Sequence, residues 1–248
     1  MTTAAPPDDV RLTPPPPGVL QVWSDLLCPF THVALHGLRT ARAALPPGTA
    51  GAEVELEHRV FPLELFNGPH PRRGTDTEAV GLGQICPEAG FRVWTAGDDR
   101  YPHTVLLAAE AVLAAGAQRH AAGEALDAGL RAAFWTHSRS IAHRQVVLDV
   151  AEEVAREHDA AGHEPVLDVS RLAADLDAGT HRRDLSRDHA LARTDAVAGS
   201  PTFVLPDGST VTNPGITVHW EGPWAAGYPV VDHHDRSVYG DLLSRAAR

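Results

Sequence analysis

Val19-Leu20-Gln21-Val22-Trp23-Ser24-Asp25-Leu26-Leu27-Cys28-Pro29-Phe30-Thr31-His32 is the stretch that decides the fold. Its first five residues, directly after Gly18, are mainly β-branched, aliphatic and aromatic, the composition of a buried strand. At Cys28-Pro29 the pattern changes. Pro29 suits the first position of a helix, and Phe30, Val33, Ala34 and Leu38 lay an apolar stripe behind it. The spacing predicts a helix to about Leu45, stopped by Pro46-Pro47-Gly48. Val54-Glu55-Leu56-Glu57, running into Arg59-Val60-Phe61, then alternates as a second strand. Strand, helix and strand in about 45 residues form a βαβ unit, whose right-handed crossover makes the strands parallel.

Beyond this unit the period becomes helical from Thr75 to Ala198. Val105, Leu106, Ala109, Val112 and Leu113 share one face; so do Leu126, Leu130 and Phe134, and again Val146, Val147, Val150 and Val154. Two weaker helices are expected around Leu172 and Leu176 and from about Arg182 to Val197. Phe203-Val204-Leu205 and Ser209-Thr210-Val211 flank Pro206-Asp207-Gly208 and read as a β-hairpin, and Val238 and Leu242 mark a closing helix. The order is βαβ, helical block, ββα.

The chain has 248 residues, 43% hydrophobic and 21% charged, a globular composition. Its net charge is -11, and every one of the 21 basic residues is Arg; this acidity argues against nucleic acid and anionic membrane as partners. The most apolar stretch, Val105 to Ala117, is interrupted by Glu110 and falls short of the ~20 residues a bilayer span needs. The first eighteen residues hold six of the 20 prolines and lack a basic start and an apolar run. They are read as a disordered lead, not a secretory signal, so a cytoplasmic location is expected. Gly81-Leu82-Gly83 lacks the context of a phosphate loop.

Cys28 falls where a strand ends and a helix begins, the position at which backbone N–H groups and the helix dipole favour a thiolate. A partly exposed sulfur of lowered pKa is expected there, against the alternative of a small buried hydrophobe. His32, one turn on, offers charge or proton transfer at the sulfur; Asp25 either opposes the thiolate or ends the strand. Pro201, directly before an apolar strand, marks a strand start, an edge or a cis turn.

Together these features resemble the DsbA-like branch of the thioredoxin-fold superfamily. Cys28-Pro29 matches the opening of its active-site C-P-x-C, and Ser200-Pro201 its cis-proline loop. The resemblance spans roughly residues 19 to 248. It implies an α/β thioredoxin-like domain at 19–74 and 199–248, with an inserted all-helical domain at 75–198. It also implies a thiol–disulfide oxidoreductase in which Cys28 is the nucleophile, Thr31 or His32 tunes the sulfur, and Pro29, Phe30, Ser200, Pro201 and Thr202 receive substrate. Thr31 stands where the family's second Cys falls, so an intramolecular C-x-x-C disulfide cannot form. A monothiol needs an outside thiol such as glutathione, or a distant resolving Cys, to finish the exchange. Cys86 is the one other cysteine. Two alternatives stay open: a glutathione-dependent isomerase or transferase of the same fold, and a non-catalytic binding protein.

No bound cofactor is expected, and no metal. His32 and His36 have the i, i+4 spacing of a two-His face, but no third ligand accompanies them in sequence. His137, His143, His233 and His234 read as cap, loop or surface residues. Trp220, Trp224 and Tyr228, in a Gly/Pro-broken stretch, either line an apolar groove or pack a loop onto the sheet.

Overall fold

The computed structural model describes residues 11–160, 166–223 and 227–248. Strand β1 (Val19–Ser24) is buried at every position and sits inside a four-stranded sheet of order β2-β1-β3-β4, with β2 at Glu55–Val60, β3 at Thr202–Val204 and β4 at Thr210–Thr212. β2 runs parallel to β1, from Val19 opposite Glu55 to Ser24 opposite Val60, as the βαβ reading requires. β3 is antiparallel to β1 and places Thr202 opposite Trp23. That pairing sets the loop before β3 beside the carboxyl end of β1. The Asp-Gly turn closes β3 on β4, with Gly208 at φ +81.

β1 is buried throughout because both its faces are covered. Leu20 and Val22 pack with Leu35 and Leu38 of helix α1 (Pro29–Ala43) and with Tyr239, Leu242 and Leu243 of the closing helix Ser237–Ala246. Trp23 packs on the other face with Phe61, Val204, Leu191 and Val197. A separate, larger core joins Leu26 and Leu27, just past β1, to the helices that follow β2. The fold is thus a thioredoxin-like α/β architecture with a helical insertion. After α2 (Glu64–Asn67) and α3 (Arg72–Ile85), the insertion contains α4 (Leu106–Gln118), α5 (His120–Trp135), α6 (Arg144–Ala160), α7 (Val169–Ala178) and α8 (Arg182–Ala192).

Three features depart from the sequence reading. Residues 11–18, taken as part of a disordered lead, are placed: Pro15 is buried, Leu12 packs beside Trp23, and Gly18 N–H donates to Ala246 O at 2.8 Å; residues 1–10 lie outside the described residues. The segment read as a broken aromatic loop is instead an antiparallel pair, β5 (Ile216–Glu221) and β6 (Tyr228–His234), while Trp224 lies outside the described residues. α3 lies almost wholly within the stretch read as helical from Thr75 but was not resolved as a helix of its own, because Gly74, Gly81 and Gly83 are poor helix formers. Gly81 has a packing reason: a Cβ there would come within 2.7 Å of Pro229 O, so only glycine lets β6 lie against α3. With β5 and β6 counted, α9 is Ser237–Ala246.

Candidate functional site

The amino end of α1 meets the β3 loop at one point. Cys28 is the N-cap of α1, in extended backbone, and Pro29 is its first residue. The Ser200–Pro201 peptide is cis. The Cys28 Sγ–H donates to the Ser200 carbonyl oxygen at 3.1 Å, bridging 172 positions of sequence. The Ser200 hydroxyl accepts from Asp25 N–H at 2.9 Å and lies 3.0 Å from the Thr31 hydroxyl. Position 31 therefore carries a hydroxyl that ties the helix to the β3 loop, and an S–S bond at this turn is chemically excluded.

The approach to the helix is held from behind. Asp25 does more than end the strand: its Oδ1 accepts from Leu27 N–H at 2.7 Å and its Oδ2 from Leu63 N–H at 2.9 Å. Arg131 of α5, fully buried, donates to Asp25 O at 3.0 Å, Leu26 O at 3.2 Å and the Ser24 hydroxyl at 3.2 Å. Its Nε donates to both Asp127 oxygens at 3.0 Å. Burial alone would push Asp127 up, but the charges of Arg131, His58 and Arg39 outweigh it and hold the carboxyl below its usual range. Trp135 adds an N–H to Leu26 O at 3.2 Å. The carbonyls preceding Cys28 thus have donors from the insertion, which a buried backbone requires. The sequence reading passed over Arg131, although Asp127 and Arg131 stand at i, i+4 beside the apolar stripe of Leu126, Leu130 and Phe134, a spacing that signals a buried ion pair on the packing face.

Two expectations about the sulfur need correction. Cys28 is buried, 3% exposed, not partly exposed. Its pKa is raised: burial dominates, and hydrogen bonding from Ser200 and Thr31 offsets only part of it, with the Asp25 charge adding a small further rise. His32 does not supply charge to the sulfur. Its Nε2 is paired with Ala89 O at 2.8 Å and its ring packs against Phe91 and Trp135. Burial and the Arg131 charge push its pKa down to about 3, so the ring is neutral at pH 7.

The remaining residues expected to receive substrate divide. Phe30 is partly exposed, whereas Pro29 and Pro201 are buried. Thr202 is fully buried and its hydroxyl is engaged within the fold, by Gly199 O and the Thr212 hydroxyl, each at 2.8 Å. It shapes the loop and leaves no free group for a ligand. Cys86, also a free thiol, packs with Val33, Leu82, Ala89 and Ile216 and lies close to His36, eight residues or about 12 Å along α1 from Cys28.

A raised pKa has a direct consequence for reactivity. Below its pKa a thiol gains about tenfold in thiolate per pH unit, and the thiolate is the nucleophile. Alkylation of Cys28 by iodoacetamide in the Cys86→Ala chain is expected to climb by about that factor per unit from pH 7 to 9. A plateau near neutral pH would show a thiolate already formed.

A family model described as a DSBA-like thioredoxin domain matches residues 19–216. No curated protein matches the chain. Solved structures do. The cytosolic disulfide reductase DsbM from Pseudomonas aeruginosa superposes with a TM-score of 0.56 at 20% identity, over 78% of this chain and 87% of that chain. The same reductase solved with GSH gives 0.56 at 18% identity, over 92% and 96%. A probable DsbA oxidoreductase from Streptomyces coelicolor gives 0.58 at 21% identity, over 92% and 89%. At such identities the likeness speaks for the fold, while the family match runs from the first residue of β1 through the helical insertion and β3 into β5, and on that ground the chain belongs to the DSBA-like thioredoxin domain family.

Proposed function

We propose that the protein is a monothiol thiol–disulfide oxidoreductase in which Cys28 is the nucleophile and glutathione, or a thiol like it, completes each turnover. The observation that carries this reading is the placement of Cys28 at the start of α1, with its sulfur on the Ser200 carbonyl of the β3 loop and Thr31 occupying the next position at which a second sulfur would sit. Family membership supplies the reaction class, and the reductase solved with GSH is consistent with a small thiol as co-substrate.

In this reading Cys28 loses its proton and attacks one sulfur of a disulfide. The S–S bond breaks, a mixed disulfide forms on Cys28, and the other half leaves as thiolate. A glutathione thiolate then attacks the Cys28 sulfur and expels the second half. A second glutathione attacks the glutathione sulfur, which releases oxidised glutathione and returns the Cys28 thiolate. Each cycle consumes two glutathiones for one substrate disulfide. The hydroxyls of Ser200 and Thr31 are the groups that stabilise the developing thiolate. The Ser200 and Pro201 backbone, with partly exposed Phe30, is the surface offered to substrate. A reducing cytoplasm would supply the thiol.

Turnover of a peptide disulfide is expected to be near background without added thiol and to rise with glutathione concentration, one oxidised glutathione appearing per substrate reduced. Glutathione binding without oxidation would identify the isomerase or transferase reading instead. Thiol-independent turnover would overturn the monothiol scheme.

A further inference from the structure

The sequence reading expected no metal, and among its histidines His32 is committed elsewhere. The fold, however, brings His36 of α1 to Cys86 and Glu88, which follow α3. One ligand atom from each, an imidazole nitrogen, a sulfur and a carboxylate oxygen, lie within 4.8 Å of one another. The ligands come from two distant parts of the chain, α1 and the turn after α3, so no single sequence motif announces the group.

A second observation points to a ligand. The same three residues line a cavity of about 200 Å³, together with His234, Arg236 and Tyr239. Tyr239 is 1% exposed, and its hydroxyl has no hydrogen-bond partner among the described residues; the buried Nε2 of His234 has none either. The Tyr239 ring is seated against α1 because residue 37 is glycine: a Cβ there would fall 2.2 Å from the ring. Buried polar atoms without partners are costly and rare, and two of them face this one small space.

We propose that His36, Cys86 and Glu88 form a three-ligand site for a borderline-soft divalent cation of the zinc class, with its fourth position open to the cavity. One nitrogen, one sulfur and one oxygen ligand with an open position is a zinc-type donor set. Tetrahedral ligands at zinc distances stand about 3.5 Å apart, so closure of roughly 1 Å is needed. Glu88 is exposed and His36 half-buried, so both side chains have room to make it. Arg236, which also lines the cavity, holds Glu88 Oε1 at 2.5 Å and donates to Ile85 O at 2.8 Å, leaving Oε2 for the cation. Coordination displaces the Cys86 proton to solvent, and a water in the fourth position would meet the unpaired His234 and Tyr239 atoms. Cys86 is thereby withheld from thiol exchange, which separates its chemistry from that of Cys28.

The test is titration of the reduced full-length chain with Zn²⁺, with Co²⁺ as spectroscopic stand-in. One equivalent of zinc per chain by equilibrium dialysis is expected, and a thiolate-to-cobalt charge-transfer band. Cys86→Ser should abolish the band, and His36→Gln and Glu88→Gln, at positions that carry less of the core, should each weaken binding at least tenfold. Cys28→Ser should leave stoichiometry and band unchanged. Absence of the band, its persistence in Cys86→Ser, binding unaffected by both His36→Gln and Glu88→Gln, or its loss in Cys28→Ser would each overturn the site.

Discussion

Cys28→Ser is expected to lower glutathione-dependent disulfide turnover by at least about 10³-fold, to the rate of exchange without enzyme, because no second group in the site can form the mixed disulfide. Serine keeps the size of the side chain and can still donate to the Ser200 carbonyl that now accepts at 3.1 Å, so the fold should be retained. The counterpart gain is Thr31→Cys. Thr31 stands one helical turn from the nucleophile and its hydroxyl lies 3.0 Å from that of Ser200. A sulfur there would give an internal dithiol able to release substrate without glutathione. A stoichiometric release of reduced substrate without added thiol should appear in pre-reduced Thr31→Cys and be absent in the native chain. The cost is loss of the Thr31–Ser200 hydrogen bond, about 1 kcal/mol. Native-level dependence on glutathione in Thr31→Cys would show that substrate release is governed elsewhere than at this position.

The second large effect lies away from the sulfur. Arg131→Leu removes a donor to Asp25 O, Leu26 O and the Ser24 hydroxyl, leaving Asp25 O with Cys28 N–H and Leu26 O with Trp135, and it takes from Asp127 the Nε–H shared by both its oxygens. Asp127 keeps Arg39 at 3.2 Å, but it is buried, and breaking a buried pair from one side costs about 3–5 kcal/mol. For a chain of this size the expected fall in Tm is on the order of 10 °C. The double change Arg131→Leu with Asp127→Leu should recover part of the loss, since it removes the uncompensated charge together with its partner. A fall under about 1 kcal/mol in Arg131→Leu would mean that the insertion does not hold the residues before Cys28 in place.

Much of this arrangement is legible in the chain itself, and the legible parts share a cause. The β1 strand, the Pro29 helix start and the Asp207-Gly208 turn are governed by short-range preferences, so reading them needs no knowledge of their neighbours. Ser200-Pro201 was legible as a turn, and its partner Cys28 as a helix start; what the chain could not state is how deep the sulfur lies. Burial is a sum over all surrounding elements, and it reverses the effect of the helix-start N–H groups, so that the Cys28 pKa moves up where the local rule says down. His32 fails for the same reason: its carbonyl partner, Ala89, is 57 residues away. β5 was open to discovery, since Ile216, Val218 and Trp220 alternate, but Pro229 in the following run argued against a strand and Gly81 of α3, which makes room for it, is invisible from there.

The central claim is that Cys28 alone carries the exchange and passes through a mixed disulfide. It is tested most directly by incubating the Cys86→Ala chain with oxidised glutathione, quenching with acid, and measuring intact mass followed by peptide mapping. The account predicts one glutathione per chain, linked to Cys28, and its complete removal by added reduced glutathione. An unmodified Cys28 under conditions in which the unfolded chain is fully glutathionylated would contradict it, as would a Cys28–Cys86 disulfide forming in the native chain.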